Sequence, residues 1–203
     1  MEINAFCRAF QKACRNMANY TEELCRLDSY IGDGDHGVTI ERGFNAAADS
    51  LDGVKNAREL FFAVAESMSD AMGGAIGPLY GMFWRGVGKM VEEEVTPDNI
   101  GPAWKKGCEA LMRVGKAEKG NKTIVDAILP SVEAANPAGT LAQTLCAMAD
   151  AAENGAKATA GMQATKGRAH FLGEKSIGAK DPGACSYALF LRTLAEETAK
   201  EEK

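Results

Sequence analysis

Apolar side chains recur every three or four residues along almost the entire chain. In residues 3–25, for example, Ile3, Phe6 and Phe10 fall on one side of a helix of 3.6 residues per turn. Eight segments carry this pattern, and they are residues 3–25, 38–51, 58–72, 78–90, 98–114, 122–135, 141–165 and 184–200. Pro130 should kink or break the sixth of them. Because no segment alternates apolar and polar residues as a strand would, the sequence predicts an all-α protein of eight helices.

Glycine is concentrated in three of the connections between the predicted helices. These connections are residues 32–37, 73–81 and 167–183, and they hold much of a total of 22 glycines. A glycine inside a helix costs roughly 1 kcal/mol relative to alanine, whereas a glycine-rich loop at a helix start lets a ligand approach the backbone. We find no internal repeat, low-complexity tract or linker, so a single domain over residues 1–203 is predicted.

The first glycine-rich connection contains Asp33 and Asp35 and follows Asp28, so three carboxylates lie within eight residues. Carboxylates held this close repel one another by about 3 kcal/mol per pair at an effective dielectric constant near 20. A divalent cation would neutralise them, and a short glycine-containing loop suits Mg²⁺ better than Ca²⁺. The spacing is not that of an EF-hand, because Gly37 stands where the third ligand is required. A solvated Asp-Gly turn, with Asp28 capping a neighbouring element, is the alternative interpretation.

Two of the predicted helix starts suit phosphate. Residues 36–39, His-Gly-Val-Thr, follow the carboxylates directly and open a helix, whose free N–H groups and dipole favour an anion. Residues 73–77 precede another helix and could cradle phosphate with backbone amides, although no G-K-[ST] follows as in a P-loop. An ordinary first helical turn and a tight helix–helix connector are the corresponding structural alternatives.

The third glycine-rich connection is locally basic in an otherwise acidic protein. Its charged side chains, with the lysine just before it, are Lys166, Arg168, Glu174, Lys175, Lys180 and Asp181. Such a lid suits a phosphate-bearing ligand, and Arg168 is the best candidate for stabilising charge on a transferring phosphoryl group, whereas Asp181 could cap the last helix. A mobile surface loop with solvated charges is the alternative. Together with the carboxylates, these loops predict Mg²⁺-dependent phosphoryl transfer or phosphate binding.

Composition and charge argue against several other classes of function. The chain has 203 residues, a formal net charge of −5 and no Lys/Arg-rich run, which argues against nucleic-acid binding. No apolar run is long enough to span a membrane, and the N-terminus has no secretory signal pattern. Six cysteines without a C-x-x-C pair and only two histidines argue against a zinc site. Most of the cysteines fall among apolar positions of the helical patterns and are expected to be reduced core residues of a cytoplasmic protein.

Residues 27–37 and the following Glu41-Arg42-Gly43-Phe44 resemble the nucleotide-binding L subunit of dihydroxyacetone kinases. The likeness continues, in order, through residues 73–81, 115–123, 163–169, 172–178 and 181–184. It covers essentially the whole chain, and in combination these motifs are highly specific. The resemblance implies a closed barrel of eight antiparallel helices with the nucleotide site at one end.

For the site, the resemblance implies that Asp28, Asp33 and Asp35 hold two Mg²⁺ ions that bridge to the phosphates of ADP or ATP. The nucleotide contacts that it implies are His36, Gly37, Val38, Thr39, Ala75, Ile76, Gly120, Arg168, Asp181, Pro182 and Gly183. The implied catalytic residue is Arg168, which would share with the metals the task of spreading transition-state charge.

The resemblance also implies partners. The substrate, dihydroxyacetone or a related short ketose, would be held by a separate K-type kinase subunit, to which the L subunit delivers the phosphoryl group. In one version, ADP stays tightly bound as a coenzyme and is recharged by a phosphohistidine carrier of the phosphotransferase system; in another, ATP is the donor. A chain of this length favours the first version, and homodimer formation stays open. A nucleotide-binding regulatory subunit without transfer activity is the remaining alternative.

Four positions depart from the family pattern. Ile76 stands where Ser or Thr is common, which removes a hydroxyl near the phosphates but keeps the backbone amide. Asn121 stands where aspartate is usual, and His170 and Ala179 stand where Ser and His are common. None of them is a metal aspartate. Nucleotide binding is therefore retained as the prediction, whereas the identity of the ketose is left open.

Overall fold

Nine α-helices and no β-strand form the structure, a computed structural model that describes residues 1–203, and the all-α prediction is confirmed. The helices are α1 (Ile3–Asn16), α2 (Thr21–Ser29), α3 (His36–Asp49), α4 (Ala57–Ala71), α5 (Ile76–Gly88), α6 (Pro97–Gly115), α7 (Val125–Glu133), α8 (Leu141–Ala158) and α9 (Pro182–Glu201). Short 3-10 turns lie at Met17–Tyr20, Thr159–Gly161 and Arg168–Ser176. None of the α-helices combines the length and the hydrophobicity that a membrane span needs.

Eight of the helices pack in a closed ring. From α3 to α9, each helix packs against the next one along the chain, and α1 closes the circle by contacting both α3 and α9. Short connections make sequential neighbours antiparallel, so the connections at one end of the ring alternate with those at the other. This arrangement is the closed helical barrel that the resemblance implies.

Helix α2 is the one helix outside the ring, and it packs against α3 and α9. The sequence predicted one helix over residues 3–25, but the 3-10 turn at Met17–Tyr20 divides it. The side chain of Met17 is fully buried and anchors this turn in the core. Asp28 therefore lies in the last turn of a separate short helix that leads directly into the carboxylate loop.

Aromatic side chains fill the centre of the ring. Phe10 contacts Phe61, Trp84 and Phe190 with ring centroids 6.0, 5.4 and 5.3 Å apart, all edge-on. Phe61 in turn stacks on Trp84 at 5.6 Å. Such pairs add about 0.5–1.5 kcal/mol each beyond the burial of their area. Because every α-helix contributes to the same buried apolar cluster, the centre of the barrel is packed and a ligand has to bind at its end.

Helices α5 and α6 approach so closely that their backbones touch at two glycines. A Cβ atom on Gly86 would lie 2.7 Å from the Cα of Gly107 and 2.8 Å from the carbonyl oxygen of Lys106. A Cβ atom on Gly107 would likewise lie 2.7 Å from the carbonyl oxygen of Phe83. These two glycines inside helices therefore serve helix packing, which offsets their low helix propensity.

Two predicted helix boundaries were wrong, each for a local reason. Helix α7 begins at Val125 rather than at residue 122, because Lys122 has a φ of 59° and so cannot continue a right-handed helix. Of the kink or break expected at Pro130, the break does not occur, because α7 continues through this residue to Glu133. Helix α8 ends at Ala158, well before its predicted end, where the chain enters a 3-10 turn and the long connection to α9.

Candidate functional site

The four connections at one end of the ring carry the residues that the sequence analysis singled out. They join α2 to α3, α4 to α5, α6 to α7 and α8 to α9, and alternate connections of an up-and-down ring share an end. A cavity of about 420 Å³ lies among them. Its polar and charged lining comprises Asp28, Asp33, Asp35, His36, Thr39, Arg42, Tyr80, Lys122, Thr123, Lys166, Arg168 and Asp181. Leu79, Leu111 and Ile124 contribute to an apolar wall.

The three predicted metal ligands converge in the connection between α2 and α3. Carboxylate oxygens of Asp28, Asp33 and Asp35 all lie within 4.8 Å of one another. The amide of Gly34 donates to Oδ2 of Asp28 at 2.8 Å, which folds the loop back onto the end of α2. A side chain at Gly32 would overlap the Asp28 carboxylate, so the close turn requires glycine there.

This donor set fits a hard divalent cation. Carboxylate oxygens are the ligands that Mg²⁺ prefers, and the exposure of Asp33 and Asp35 leaves room for the water molecules that Mg²⁺ retains. The three like charges also repel one another, and a cation relieves that repulsion. Part of the compensation comes from the protein itself, because Arg168 forms an ion pair with Asp33.

The connection between α8 and α9 forms a lid over the carboxylates. It contains 3-10 turns within Arg168–Ser176, and Gly173 joins them with a φ of 55°. The lid brings Arg168 into contact with the carboxylate cluster and leaves Phe171 on its outer surface, 83% exposed. The lid therefore places one cation at the site and an apolar side chain on its own exposed surface.

His36 opens α3 and lies buried beside α9. Its Nε2 atom is 3.0 Å from the hydroxyl oxygen of Ser186, and only 7% of the residue is exposed. Burial lowers the pKa of the His36 imidazole to about 4. The ring is therefore neutral at neutral pH and offers one hydrogen-bond donor and one acceptor rather than a positive charge.

Three of the predicted nucleotide contacts do not line the cavity. Gly37 is buried where α3 crosses α2, and a Cβ atom there would overlap the carbonyl oxygen of Thr21. Val38 is 53% exposed, and the amide of Gly120 donates to Oδ1 of Asp126 at 2.5 Å. Gly37 and Val38 nevertheless belong to the first turn of α3, whose amides have no helical partners and can face an anion.

Helix α5 contributes its start to the cavity. Ala75 and Ile76 lie at the N-terminal end of the helix and line the cavity. One turn further on, Tyr80 lines the cavity as well, but its hydroxyl oxygen is fully buried and lies in no hydrogen bond of normal geometry. Burial raises the pKa of this hydroxyl to about 12, and the nearby Ser186 hydroxyl acts in the opposite direction. The Tyr80 hydroxyl therefore belongs to the protein interior beneath the cavity wall.

Asp181 caps α9 from inside the site. Its Oδ1 accepts a hydrogen bond from the amide of Ala184 at 2.7 Å, while Pro182 takes the first helical position and Gly183 follows it along the cavity wall. Burial raises the pKa of Asp181 to about 7, and the negative charge of Asp126 acts in the same direction. The cavity therefore holds an acid that titrates near neutral pH.

Sequence analysis missed three residues that organise the site. Asp126 accepts hydrogen bonds from the amides of Gly120 at 2.5 Å and Thr123 at 2.9 Å, and so shapes the connection between α6 and α7. Ser186 contacts the buried imidazole of His36. Lys122 is buried with a left-handed backbone. The sequence signal that could have pointed to Asp126 is the Gly-Asn-Lys-Thr run at residues 120–123. Such a run is typical of a turn that a side chain holds.

The structure accounts for some of the departures from the family pattern. Oδ1 of Asn121 accepts a hydrogen bond from the amide of Glu118 at 2.9 Å, so its side chain closes a turn, as an aspartate also would. Ile76 presents an apolar side chain to the cavity beside its backbone amide. The ring of His170 lies against the ring of Phe171 in the exposed lid, with the two planes tilted. Nothing in the structure explains the choice of alanine at Ala179.

Known proteins are similar to this sequence over most of its length. Residues 30–196 match the DAK2 domain. The PTS-dependent dihydroxyacetone kinase, ADP-binding subunit DhaL, of Lactococcus lactis is 40% identical over 181 residues, which are 87% of this chain and 88% of that protein. The PEP-dependent dihydroxyacetone kinase, ADP-binding subunit DhaL, of Escherichia coli is 34% identical over 86% of this chain and 87% of that protein.

Longer proteins contain a similar unit. The crystal structure of the dihydroxyacetone kinase from C. freundii in complex with AMP-PNP and Mg²⁺ matches with a TM-score of 0.75 and 26% identity, over 97% of this chain and 34% of that chain. The L-erythrulose 1-kinase of Mycolicibacterium smegmatis is 35% identical over 98% of this chain and 36% of that protein. Both the sequence and the barrel thus point to one family. The chain belongs to the DAK2 domain family and is a DhaL-type protein.

Proposed function

We propose that this protein is the nucleotide-binding subunit of a short-ketose kinase and passes a phosphoryl group to a substrate held by a partner subunit. The observation that carries the proposal is the meeting of three carboxylates, a lid arginine and two helix starts at one cavity. The similarity to ADP-binding subunits of dihydroxyacetone kinases supports it. Dihydroxyacetone is accordingly the first ketose to test.

Each wall of the cavity has a distinct part in holding the nucleotide. Asp28, Asp33 and Asp35 hold Mg²⁺, as two ions according to the family resemblance, against the phosphates of ADP or ATP. When bound, Mg²⁺ neutralises phosphate charge and orients the phosphoryl group. The first-turn amides of α3 and α5 receive phosphate oxygens, because they have no helical partners. The apolar wall that includes Leu79 and Leu111 suits the nucleotide base.

Arg168 is the residue that stabilises the phosphoryl group during transfer in this proposal. Its guanidinium already reaches the carboxylate cluster through Asp33. A planar guanidinium matches phosphate oxygens in a bidentate way and cannot lose its charge at neutral pH. Charge that develops on the transferring group is then spread over the guanidinium as well as the metal.

A phosphohistidine carrier that recharges tightly bound ADP is the proposed phosphoryl source. The support is that the relatives matched over most of their own length are named PTS-dependent or PEP-dependent. Mass spectrometry of gently purified protein tests this part of the proposal. Stoichiometric ADP is the expected result, whereas protein that carries no ADP and exchanges ATP freely would identify the ATP-dependent version.

The mouth of the cavity is the proposed docking surface for the substrate-bearing K-type subunit. Every exposed large apolar side chain except Met90 lies at this end of the barrel, and these side chains are Tyr30, Val38, Val114, Phe171, Leu172 and Ile177. Exposed apolar groups of this kind mark interaction surfaces. A partner that presents the substrate has to reach the same cavity, and the carrier would use this mouth in turn. Homodimer formation stays a prediction from the sequence.

Reconstitution tests the proposed function. The protein, Mg²⁺ and ADP are mixed with a K-type subunit, dihydroxyacetone and a phosphorylated carrier, and dihydroxyacetone phosphate is measured. Turnover that requires all components, and that Arg168→Gln slows, is the expected result. Binding of Mg-nucleotide without any transfer would instead identify a regulatory subunit. Transfer with ATP in place of the carrier would identify the ATP-dependent kinase.

A further inference from the structure

Lys122 is the lysine with the most unusual environment in the molecule. Its side chain belongs to the fully buried set, with 1% of the residue exposed, and its backbone takes the left-handed conformation with a φ of 59°. Lysine is almost never buried to this extent, because its ammonium loses hydration. An apolar side chain could fill the same space at lower cost. The structure therefore calls for a contact that only an ammonium makes.

That contact joins the two ends of the lid. The Nζ atom of Lys122 donates to the carbonyl oxygen of Thr159 at 2.6 Å and also to the carbonyl oxygen of Ala179. Thr159 lies where α8 ends, and Ala179 lies shortly before α9 begins. Lysine carries three N–H donors and no acceptor, so it can bridge carbonyl groups that cannot pair with each other.

Other hydrogen bonds also join the two ends of the lid, which together form its base. The amide of Gly178 donates to the carbonyl oxygen of Ala160 at 2.8 Å, and the amide of Asp181 donates to Oγ1 of Thr159 at 2.9 Å. The hydroxyl of Ser176 accepts from the amide of Ala164 at 2.9 Å. The lid is thus a loop whose base is hydrogen-bonded and buried, whereas its tip is exposed.

We propose that Lys122 is a positioning residue that clamps both ends of the lid and thereby holds Arg168 over Asp33. The clamp follows from the contacts of Lys122 alone; its consequence for phosphoryl transfer rests on the proposed function. A lid anchored at one end could carry Arg168 away from the carboxylates. With both ends fixed to one buried ammonium, the guanidinium stays within reach of Asp33 before a ligand arrives.

A clamp and a simple packing role lead to different results when the charge is removed. If Lys122 only fills space, Lys122→Met should leave the lid as it is or weaken the whole barrel uniformly. If it clamps the lid, the loss should be confined to residues 163–180. Hydrogen exchange of the ligand-free protein separates these outcomes, because amides in the lid and in the core are followed in one measurement.

The experiment compares Lys122→Met with Lys106→Met, which removes an exposed lysine of α6, and with Lys122→Arg, which keeps the charge. We expect exchange in residues 163–180 to rise by at least about tenfold in Lys122→Met, with α4 and α5 unchanged. Lys106→Met should match the wild type, and Lys122→Arg should restore much of the protection. In the reconstituted system, kcat should fall by about tenfold or more, while the Kd for Mg-ADP should change by less than about threefold.

Unchanged lid exchange in Lys122→Met, or equal acceleration in lid and core, would overturn the clamp. If that variant does not fold, Lys122→Gln takes its place, because its amide can keep one of the two bonds, and the same two results would overturn the clamp. Failure of the proposed function looks different. In that case the lid exchange still changes as expected, but the wild-type protein itself transfers no phosphate.

Discussion

At the scale of single residues, Asp33 is the side chain whose surroundings combine charges of both signs. Asp33 lies with Asp28 and Asp35 in a cluster whose oxygens are within 4.8 Å of one another, and it also pairs with Arg168. Its carboxylate therefore experiences both repulsion and attraction, and a bound cation would relieve the repulsion. The same reasoning makes substitutions at this residue informative about ligands rather than about folding.

Replacement of Asp33 by alanine should abolish tight binding of Mg-ADP and leave the helical fold intact. The affinity should fall on the order of 100-fold, equivalent to about 2.7 kcal/mol, because a charged metal ligand is lost. The side chain is 49% exposed, so the circular-dichroism spectrum should stay unchanged. Calorimetric titration with Mg-ADP measures the effect. Asp49→Ala, which removes an exposed carboxylate, is the control, and wild-type affinity in Asp33→Ala would contradict the metal site.

Asp181 should make the stability of the ligand-free protein depend on pH. Its pKa rises from 3.8 to about 7 on folding, so between these values the folded chain keeps a proton that the unfolded chain has lost. Increasing pH therefore favours unfolding across this window, by up to about 1.4 kcal/mol per pH unit for one group. In Asp181→Asn, which can still cap α9, the free energy of unfolding should depend less on pH.

Urea denaturation at several pH values between 4 and 8 provides the measurement for Asp181→Asn. The variant should gain stability relative to the wild type as the pH rises through the window, because the neutral amide carries no charge to desolvate. Asp52→Asn, at an exposed position, serves as the control and should follow the wild-type curve. Parallel curves for the wild type and Asp181→Asn would show that this carboxyl does not titrate near neutral pH in the folded protein.

At the scale of elements, glycines set how closely the helices approach. Gly37 allows α3 to cross the backbone of α2, and Gly86 and Gly107 allow α5 to lie against α6. The first contact fixes the helix start that follows the carboxylate loop. The second fixes two helices whose ends border the cavity. Glycine in this protein therefore shapes the site from within helices as well as from within loops.

Gly86→Ala should destabilise the protein by about 1–3 kcal/mol, because the added methyl group collides with backbone atoms that cannot move separately from α6. Chemical denaturation measures the loss. Gly161→Ala is the matched control, since no atom lies within 4 Å of the added Cβ, and it should change stability by less than about 0.5 kcal/mol. Equal effects of the two substitutions would mean that the α5–α6 contact is looser than described.

At the scale of the whole molecule, the two ends of the barrel differ in what they expose. The site end carries the cavity, the basic lid and nearly all exposed large apolar side chains, whereas Met90 stands alone at the other end. The alternation of connections produces this difference, because each end collects every second loop. The site end is thereby available to a ligand and to partners, whereas the opposite end covers the core.

Phe171→Ser should weaken docking of the K-type subunit by about tenfold or more, since a large exposed aromatic side chain is a typical centre of binding energy. The affinity for Mg-ADP should stay within about twofold, because Phe171 does not line the cavity. Sedimentation or surface-binding measurements with the K-type subunit provide the test. Met90→Ser, which removes an exposed apolar side chain from the opposite end, is the control. An equal effect of both variants would move the docking surface away from the lid.

The local features of this protein could be predicted from the sequence because they depend on neighbours along the chain. Helical periodicity reports which face of each segment is buried, and each of the eight predicted segments overlaps an observed helix, the first of them also the start of α2. Asp28, Asp33 and Asp35 lie within eight residues of the chain, so their spacing alone predicted that they meet. The division of the first predicted helix could not be foreseen, because the burial of Met17 in a 3-10 turn depends on the packed core.

Only the tertiary structure decided which distant residues share the cavity. Arg168 meets Asp33, and His36 meets Ser186, because closure of the ring brings the α8–α9 connection and the start of α9 to the start of α3. The role of Lys122 has the same origin, since its two acceptors come from either end of the lid. Hydrophobic periodicity thus determined the helices and local spacing determined the carboxylate loop, whereas packing of the helices into a closed ring determined the site as a whole.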